Sequence, residues 1–179
     1  RSWASHWGAK FKTVDEKELQ PQGRRIQGSR AEVVNHLFAY PAEENFAGKK
    51  YPLEWIKKFQ DTDFGDRFTK KKGKWHVLLD AAAFLATNKL NLDKYPADFV
   101  VMSFYKIFGF PNLGALVVKN ENVPNLRKMG FSGGTVVMAT CGKDFALLQP
   151  RGCSRFEDGT IPFLSIIALH EGLKKLNEI

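Results

Sequence analysis

Val77-Leu78-Leu79-Asp80-Ala81-Ala82-Ala83 and, one turn later, Phe99-Val100-Val101-Met102-Ser103-Phe104-Tyr105-Lys106 are the stretches whose reading decides the fold. Both are short apolar runs of strand length, and each stops at a chemically useful side chain. The first delivers a carboxylate and the second an amine. In an open α/β sheet the carboxyl ends of neighbouring parallel strands line the ligand crevice, so two such strands would aim Asp80 and Lys106 into one pocket. A lysine amine that condenses with an aldehyde, paired with an acidic group that keeps a pyridine nitrogen protonated, is what a pyridoxal phosphate enzyme requires. The same residues also carry plainer readings. An aspartate between a strand and Ala81-Ala82-Ala83-Phe84 makes a good helix N-cap, and a lysine is most often a solvated surface residue.

Outward from this pair the chain alternates strand and helix. Glu32 to Tyr40 reads as a short strand stopped by Pro41, and Pro52 to Phe59 as a helix opened by proline. The charged segment from Asp61 to Lys74 is a connection, and Trp75 to Leu79 is a buried strand. A helix from Ala81 and a turn over residues 92–96 return the chain to the strand Phe99 to Met102, an order that implies a right-handed crossover. Beyond Lys106, a turn at Gly109 to Asn112 leads into a further strand ending at Val118. Phe163, Ile166, Ile167, His170, Leu173 and Leu176 recur at helical spacing, which predicts a last helix with one side on a core. Residues 1–35 are polar and weakly patterned, with a turn at Gln20-Pro21-Gln22-Gly23.

Three longer stretches carry a family resemblance: His36-Leu37-Phe38-Ala39-Tyr40-Pro41-Ala42-Glu43-Glu44-Asn45-Phe46-Ala47-Gly48, Ser103-Phe104-Tyr105-Lys106-Ile107-Phe108-Gly109-Phe110-Pro111 and Arg155-Phe156-Glu157-Asp158-Gly159-Thr160-Ile161. They resemble the eukaryotic molybdenum cofactor sulfurases, in their aminotransferase-like part. That part belongs to the class V, fold-type I group, which also holds the cysteine desulfurases. The resemblance makes 36–179 a partial class V-like pyridoxal phosphate domain, with 1–35 a weakly matched segment ahead of it. It implies an α/β fold, the large domain of a fold-type I transferase with a mainly parallel sheet flanked by helices, here incomplete.

The resemblance also assigns roles. Lys106 is the Schiff-base lysine and Asp80 the partner of the pyridine nitrogen. Ser103 resembles the serine that binds the cofactor's phosphate, and Asn45 an asparagine that meets the ring oxygen or the substrate. Gly134 and Thr135, in Gly133-Gly134-Thr135, resemble a loop that reaches the phosphate held by a neighbouring subunit, which implies a homodimer with shared sites. By themselves the three residues are equally an ordinary turn. Arg155 lies where an arginine holds a substrate carboxylate by a two-pronged contact; the plainer reading is a local ion pair with Glu157. The implied activity is desulfuration of L-cysteine to L-alanine, with the sulfur passed through a protein persulfide to the molybdenum cofactor, which activates xanthine dehydrogenase and aldehyde oxidase. The persulfide cysteine and the molybdenum-binding domain would lie outside this chain, so the fragment alone is expected to be inactive. Cys141 and Cys153 read as ordinary thiols.

Bulk properties set the remaining bounds. The 179 residues suit one domain, and 44% hydrophobic with 26% charged is ordinary for a soluble globular chain. No run approaches the roughly 18 apolar residues of a membrane span, and no leader-like start is visible. Two cysteines without metal-like spacing point to no metal site and to a reducing, cytoplasmic setting. The net charge of +8 is concentrated before residue 75, in Arg24-Arg25, Lys49-Lys50, Lys57-Lys58 and Lys70-Lys71-Lys72. Without a nucleic-acid motif or aromatic stacking pattern these read as a solvated face, with no nucleic acid and no membrane as partner. Two other readings stand beside the sulfurase: another class V enzyme, such as a cysteine desulfurase or a lyase, and a non-catalytic α/β binding module.

Overall fold

The computed structural model describes residues 34–110, 112–128, 130, 133–142, 145–150 and 152–178. All of them fall in the compact unit Ala31–Ile179. The turn expected at 20–23 and the Arg24-Arg25 pair lie outside the described residues.

Four strands form the main sheet in the order β1-β2-β3-β4. Strands β1 (Val34–Pro41), β2 (Gly73–Asp80) and β3 (Phe99–Ser103) are parallel, and β4 (Gly114–Val118) returns antiparallel to β3. The register sets Pro41 beside Asp80 and Asp80 beside Val101, so the three parallel strands end level with one another. Central β2 is buried along most of its length, whereas edge strand β1 alternates half-buried and exposed residues. This is the difference expected between a strand covered on both faces and one covered on a single face.

The core is built on one face of this sheet. Helix α1 (Trp55–Gln60) lays Ile56 and Phe59 against β2, and Phe59 is the hub. Its ring stacks on Phe38 at 3.6 Å between centroids and meets Phe64 edge-on at 5.0 Å. Aromatic pairs of this kind add roughly 0.5–1.5 kcal/mol each beyond the area they bury. Val77 and Leu79 complete the layer from β2 and are fully buried.

Several local expectations are revised. The segment expected to be a plain connection carries a one-turn helix, α2 (Thr62–Gly65), followed by a 3-10 turn at Asp66–Phe68. The reason is Phe64, whose burial beside Phe59 anchors an otherwise polar stretch. The helix expected from Ala81 is only a 3-10 turn, Phe84–Ala86. The Asp80 carboxylate takes the Ala82 N–H at 3.0 Å, and the Asn88 side chain takes the Phe84 carbonyl at 3.0 Å, so side chains replace the bonds a longer helix would make. Past Lys106 the turn is the short helix α3 (Tyr105–Phe108), ended by Gly109 at φ +71°, a conformation glycine adopts without penalty.

Beyond β4 the chain forms 3-10 turns at Asn120–Asn125 and Gly133–Thr135, the hairpin β5 (Val136–Ala139) and β6 (Ala146–Leu148), and a 3-10 turn at Cys153–Arg155. It ends in helix α4 (Phe163–Glu178). The helix is where its spacing predicts, but it does not set that side on a core. Only Leu169 is buried, while Phe163, Ile166, Ile167, Leu173 and Leu176 are exposed, as is His170. Gly172 lets it approach α3, because a Cβ there would come within 3.3 Å of the Phe108 ring.

Candidate active site

The level ends of the three parallel strands create the candidate site. Asp80 is the last residue of β2, and its exposed carboxylate is oriented by the Ala82 N–H. The capping reading of this aspartate holds, because one oxygen accepts from the following turn, and the group stays exposed at the sheet edge. Ser103 closes β3, and Lys106 follows in α3, half-buried. From the third strand end comes the loop after Pro41. It is closed by a bridge between Glu43 and Lys50, and the Glu44 carboxylate receives the N–H groups of Phe46 and Ala47. This loop carries Asn45, whose Oδ1 accepts a hydrogen bond from Lys106 Nζ at 2.7 Å. The contact joins residues 61 apart in sequence and brings two of the predicted site residues together directly.

The donor set fits pyridoxal phosphate chemically. An amine for the aldehyde, a carboxylate for the ring nitrogen, an amide for the ring oxygen and a hydroxyl for the phosphate all arise at one edge of the sheet. Among the described residues there is no group of His, Cys, Asp and Glu able to hold a metal ion, and no helix is long and apolar enough to cross a membrane.

The other predicted residues form a second group. Thr135 is buried, and its hydroxyl donates to Asp158 Oδ1 at 3.0 Å; the same oxygen meets Lys128 Nζ at 2.5 Å. The glycine-threonine loop is thus tied to the Arg-Phe-Glu-Asp-Gly-Thr loop, and the hydroxyl expected to face a phosphate is committed to a carboxylate. Gly134 is exposed, its carbonyl 3.4 Å from Gln149 Nε2. Arg155 is half-buried, with its guanidinium 5.1 Å from the Phe156 ring centre and its Nε buried without a hydrogen-bond partner. Cys141 and Cys153 are both exposed free thiols.

A buried polar network at the opposite end of β3 went unnoticed in the sequence. Asp98 accepts from the Val77 N–H and Gln60 Nε2 on one oxygen, each at 2.8 Å, and from Asn122 Nδ2 at 2.8 Å on the other, with Lys119 at 3.5 Å. Burial acts to raise this carboxyl, but the bonds from Gln60, Val77 and Asn122 and the charge of Lys119 prevail and hold it below its ordinary 3.8. His76 lies beside it, Nδ1 at 4.0 Å, and burial pushes its pKa below the usual 6.5 despite the pull of Asp98. The signal was a lone aspartate immediately before an apolar strand.

The fold is α/β, with the lysine-bearing edge of a mainly parallel sheet as its candidate site. Residues 40–179 match the family described as Aminotransferase class-V, and the chain belongs to that family. It is 43% identical over 171 residues to the molybdenum cofactor sulfurase of Danio rerio, covering 93% of this chain and 20% of that one. Against the enzyme of the same name from Homo sapiens it is 49% identical over 145 residues, covering 80% and 16%, and against that from Oryza sativa subsp. japonica 48% over 140 residues, covering 78% and 17%. The chain therefore spans about a fifth of the length of these curated relatives. Among solved structures, the cysteine desulfurase CsdA of Escherichia coli superposes with a TM-score of 0.67 at 20% identity, over 80% of this chain and 33% of that one. The apo cysteine desulfurase of Thermococcus onnurineus NA1 gives 0.60 at 23%, with the same coverage. Both support the fold expected of a fold-type I transferase.

Proposed function

We propose that this chain carries the lysine-bearing part of a pyridoxal phosphate-dependent sulfurtransferase of the molybdenum cofactor sulfurase kind, acting on L-cysteine. The observation that carries the reading is the 2.7 Å contact of Lys106 Nζ with Asn45 Oδ1 at the edge where Asp80 ends β2. Identity of 43–50% to sulfurases supports the sulfurase over other class V enzymes. The retained amine and carboxylate argue against a non-catalytic module.

Bound at this edge, the cofactor would supply an electron sink for bonds broken at the substrate's carbon. The residues supply the rest. Lys106 would hold the cofactor through its amine, and the same amine would serve as a carrier for protons. Asp80 gives the ring nitrogen a fixed negative partner, Ser103 donates a hydroxyl to the phosphate, and Asn45 orients either the lysine or the ring oxygen. Arg155, with a donor still unpaired, takes the substrate carboxylate. Sulfur leaves cysteine for a protein thiol in the longer chain, with release of alanine, and passes to the molybdenum cofactor. The working assembly is a cytoplasmic homodimer in which the loop at Gly134 and Thr135 serves the neighbouring subunit, which requires Thr135 to exchange its Asp158 partner. The test is alanine release from L-cysteine by the full-length protein with pyridoxal phosphate. Turnover and a protein-bound absorbance band are expected in wild type, with both lost in Lys106→Ala. Turnover undiminished in Lys106→Ala contradicts the proposal.

A further inference from the structure

Asn45 is held by a loop, and the loop is held from outside by Asn88. Glu43 and Lys50 pair across the loop's neck. The Asn88 side chain touches both of them, accepting from Lys50 Nζ at 3.0 Å and lying 3.5 Å by Nδ2 from Glu43 Oε2. The same Nδ2 donates to the Phe84 carbonyl at 3.0 Å, and so fastens Asn88 to the turn that starts at the Asp80 carboxylate. One short side chain thereby ties the segment after β2 to the loop after β1, and the loop's own amide meets the Lys106 amine. The route runs from Asp80 through the Phe84 turn and Asn88 to the neck, then to Asn45 and Lys106. A surface amide without this duty would gain little from meeting two residues 38 and 45 positions away.

We propose that Asn88 is a positioning residue: through the Glu43–Lys50 neck it fixes Asn45, and thereby the Lys106 amine, relative to Asp80. The inference deepens the proposed function and rests on Lys106 being the cofactor lysine. The side-chain partners of Asn88 are Lys50, Glu43, Phe84 and Thr87, none of them a candidate site residue, so its loss loosens the alignment without removing a reacting group. The Phe84 bond gives it a local duty as well, and the test must separate the two. Lys50→Met removes the shorter of the two neck contacts, the 3.0 Å bond, while leaving the Asn88–Phe84 bond in place.

The experiment uses the full-length protein as wild type, Asn88→Ala, Lys50→Met and the double variant. Cofactor-free protein is methylated with formaldehyde and cyanoborohydride, and the rate at Lys106 is read by peptide mass spectrometry. Pyridoxal phosphate affinity is read separately from the protein-bound absorbance band. Losing one hydrogen bond's worth of alignment predicts Lys106 labelling about 2- to 10-fold faster and affinity weaker by a similar factor in each single variant. The double variant should match the larger single effect, because both changes cut one connection. Wild-type labelling in both single variants overturns the inference, and so does an effect confined to Asn88→Ala, which would mark a local turn defect. A wild type that shows no Lys106-dependent band refutes the proposed function instead, while the labelling rates still decide the role of Asn88.

Discussion

Residues 34–118 and residues 133–178 treat their chemistry in opposite ways. In the first region apolar side chains close on one another: Phe59 is 1% exposed and Val77 fully buried, and the polar groups that matter stand at the level ends of three strands. In the second, apolar side chains face outward, with Leu164 at 72% and Ile167 at 63% exposure along α4. There Thr135 and Arg155 are fixed by loop contacts rather than by a sheet. In the first region the register of a packed parallel sheet sets the level at which Asp80 and Ser103 stand and from which the segments carrying Asn45 and Lys106 leave, whereas in the second single polar contacts hold the loops. Register is dictated by every pair along a strand, and a loop contact such as Thr135 with Asp158 by one.

The largest effect is expected on truncating one apolar side chain to alanine in each region and comparing unfolding by denaturant. Phe59→Ala removes the hub of the aromatic layer and should cost about 3–5 kcal/mol. Ile167→Ala on the exposed face of α4 should stay within about 0.5 kcal/mol. Comparable losses would mean that the second region is as packed as the first.

The Asp98 network sharpens the comparison by asking what register alone cannot hold. Asp98→Ala strands the Val77 N–H, Gln60 and Asn122 donors and should cost about 3 kcal/mol in the same unfolding measurement, a loss smaller than that at Phe59. The pH dependence follows from the directions of the two shifts. Burial lowers the pKa of His76 in the fold, so the unfolded chain takes up its proton first, and stability should begin to fall as pH drops below 6.5. Asp98, depressed in the fold, keeps its contribution above 3.8 and loses it as pH falls further, through its folded value. A His76→Gln variant should flatten the first of these two declines in a pH series of unfolding midpoints; an unchanged slope would place the acid-sensitive group elsewhere.

How much of this was legible follows the same division. Asp80 and Lys106 could be read as candidates because apolar runs of strand length announce where strands end, and the observed strands stop within a residue of those marks, whereas Ser103 takes its role from resemblance alone. Asn45 could be named only by resemblance, since its meeting with Lys106 spans 61 positions and no local pattern encodes it. The helix expected after Asp80 failed because three alanines favour a helix only while no side chain competes for its backbone groups, and both Asp80 and Asn88 compete. The stripe on α4 was correct as spacing and misleading as burial, because periodicity gives a helix an apolar side without saying what lies against it. Asn88 and Asp98 carry no local signal for a similar reason: each bonds to partners far away in the chain.

On the proposed function, the amine bonded to Asn45 is the one that holds the cofactor. Full-length protein incubated with pyridoxal phosphate and reduced with borohydride would carry the cofactor on one peptide, identified by mass spectrometry. The pyridoxyl group is expected on Lys106, with no labelling of comparable yield at another lysine. A label placed predominantly on any other residue, with Lys106 unmodified, would contradict it.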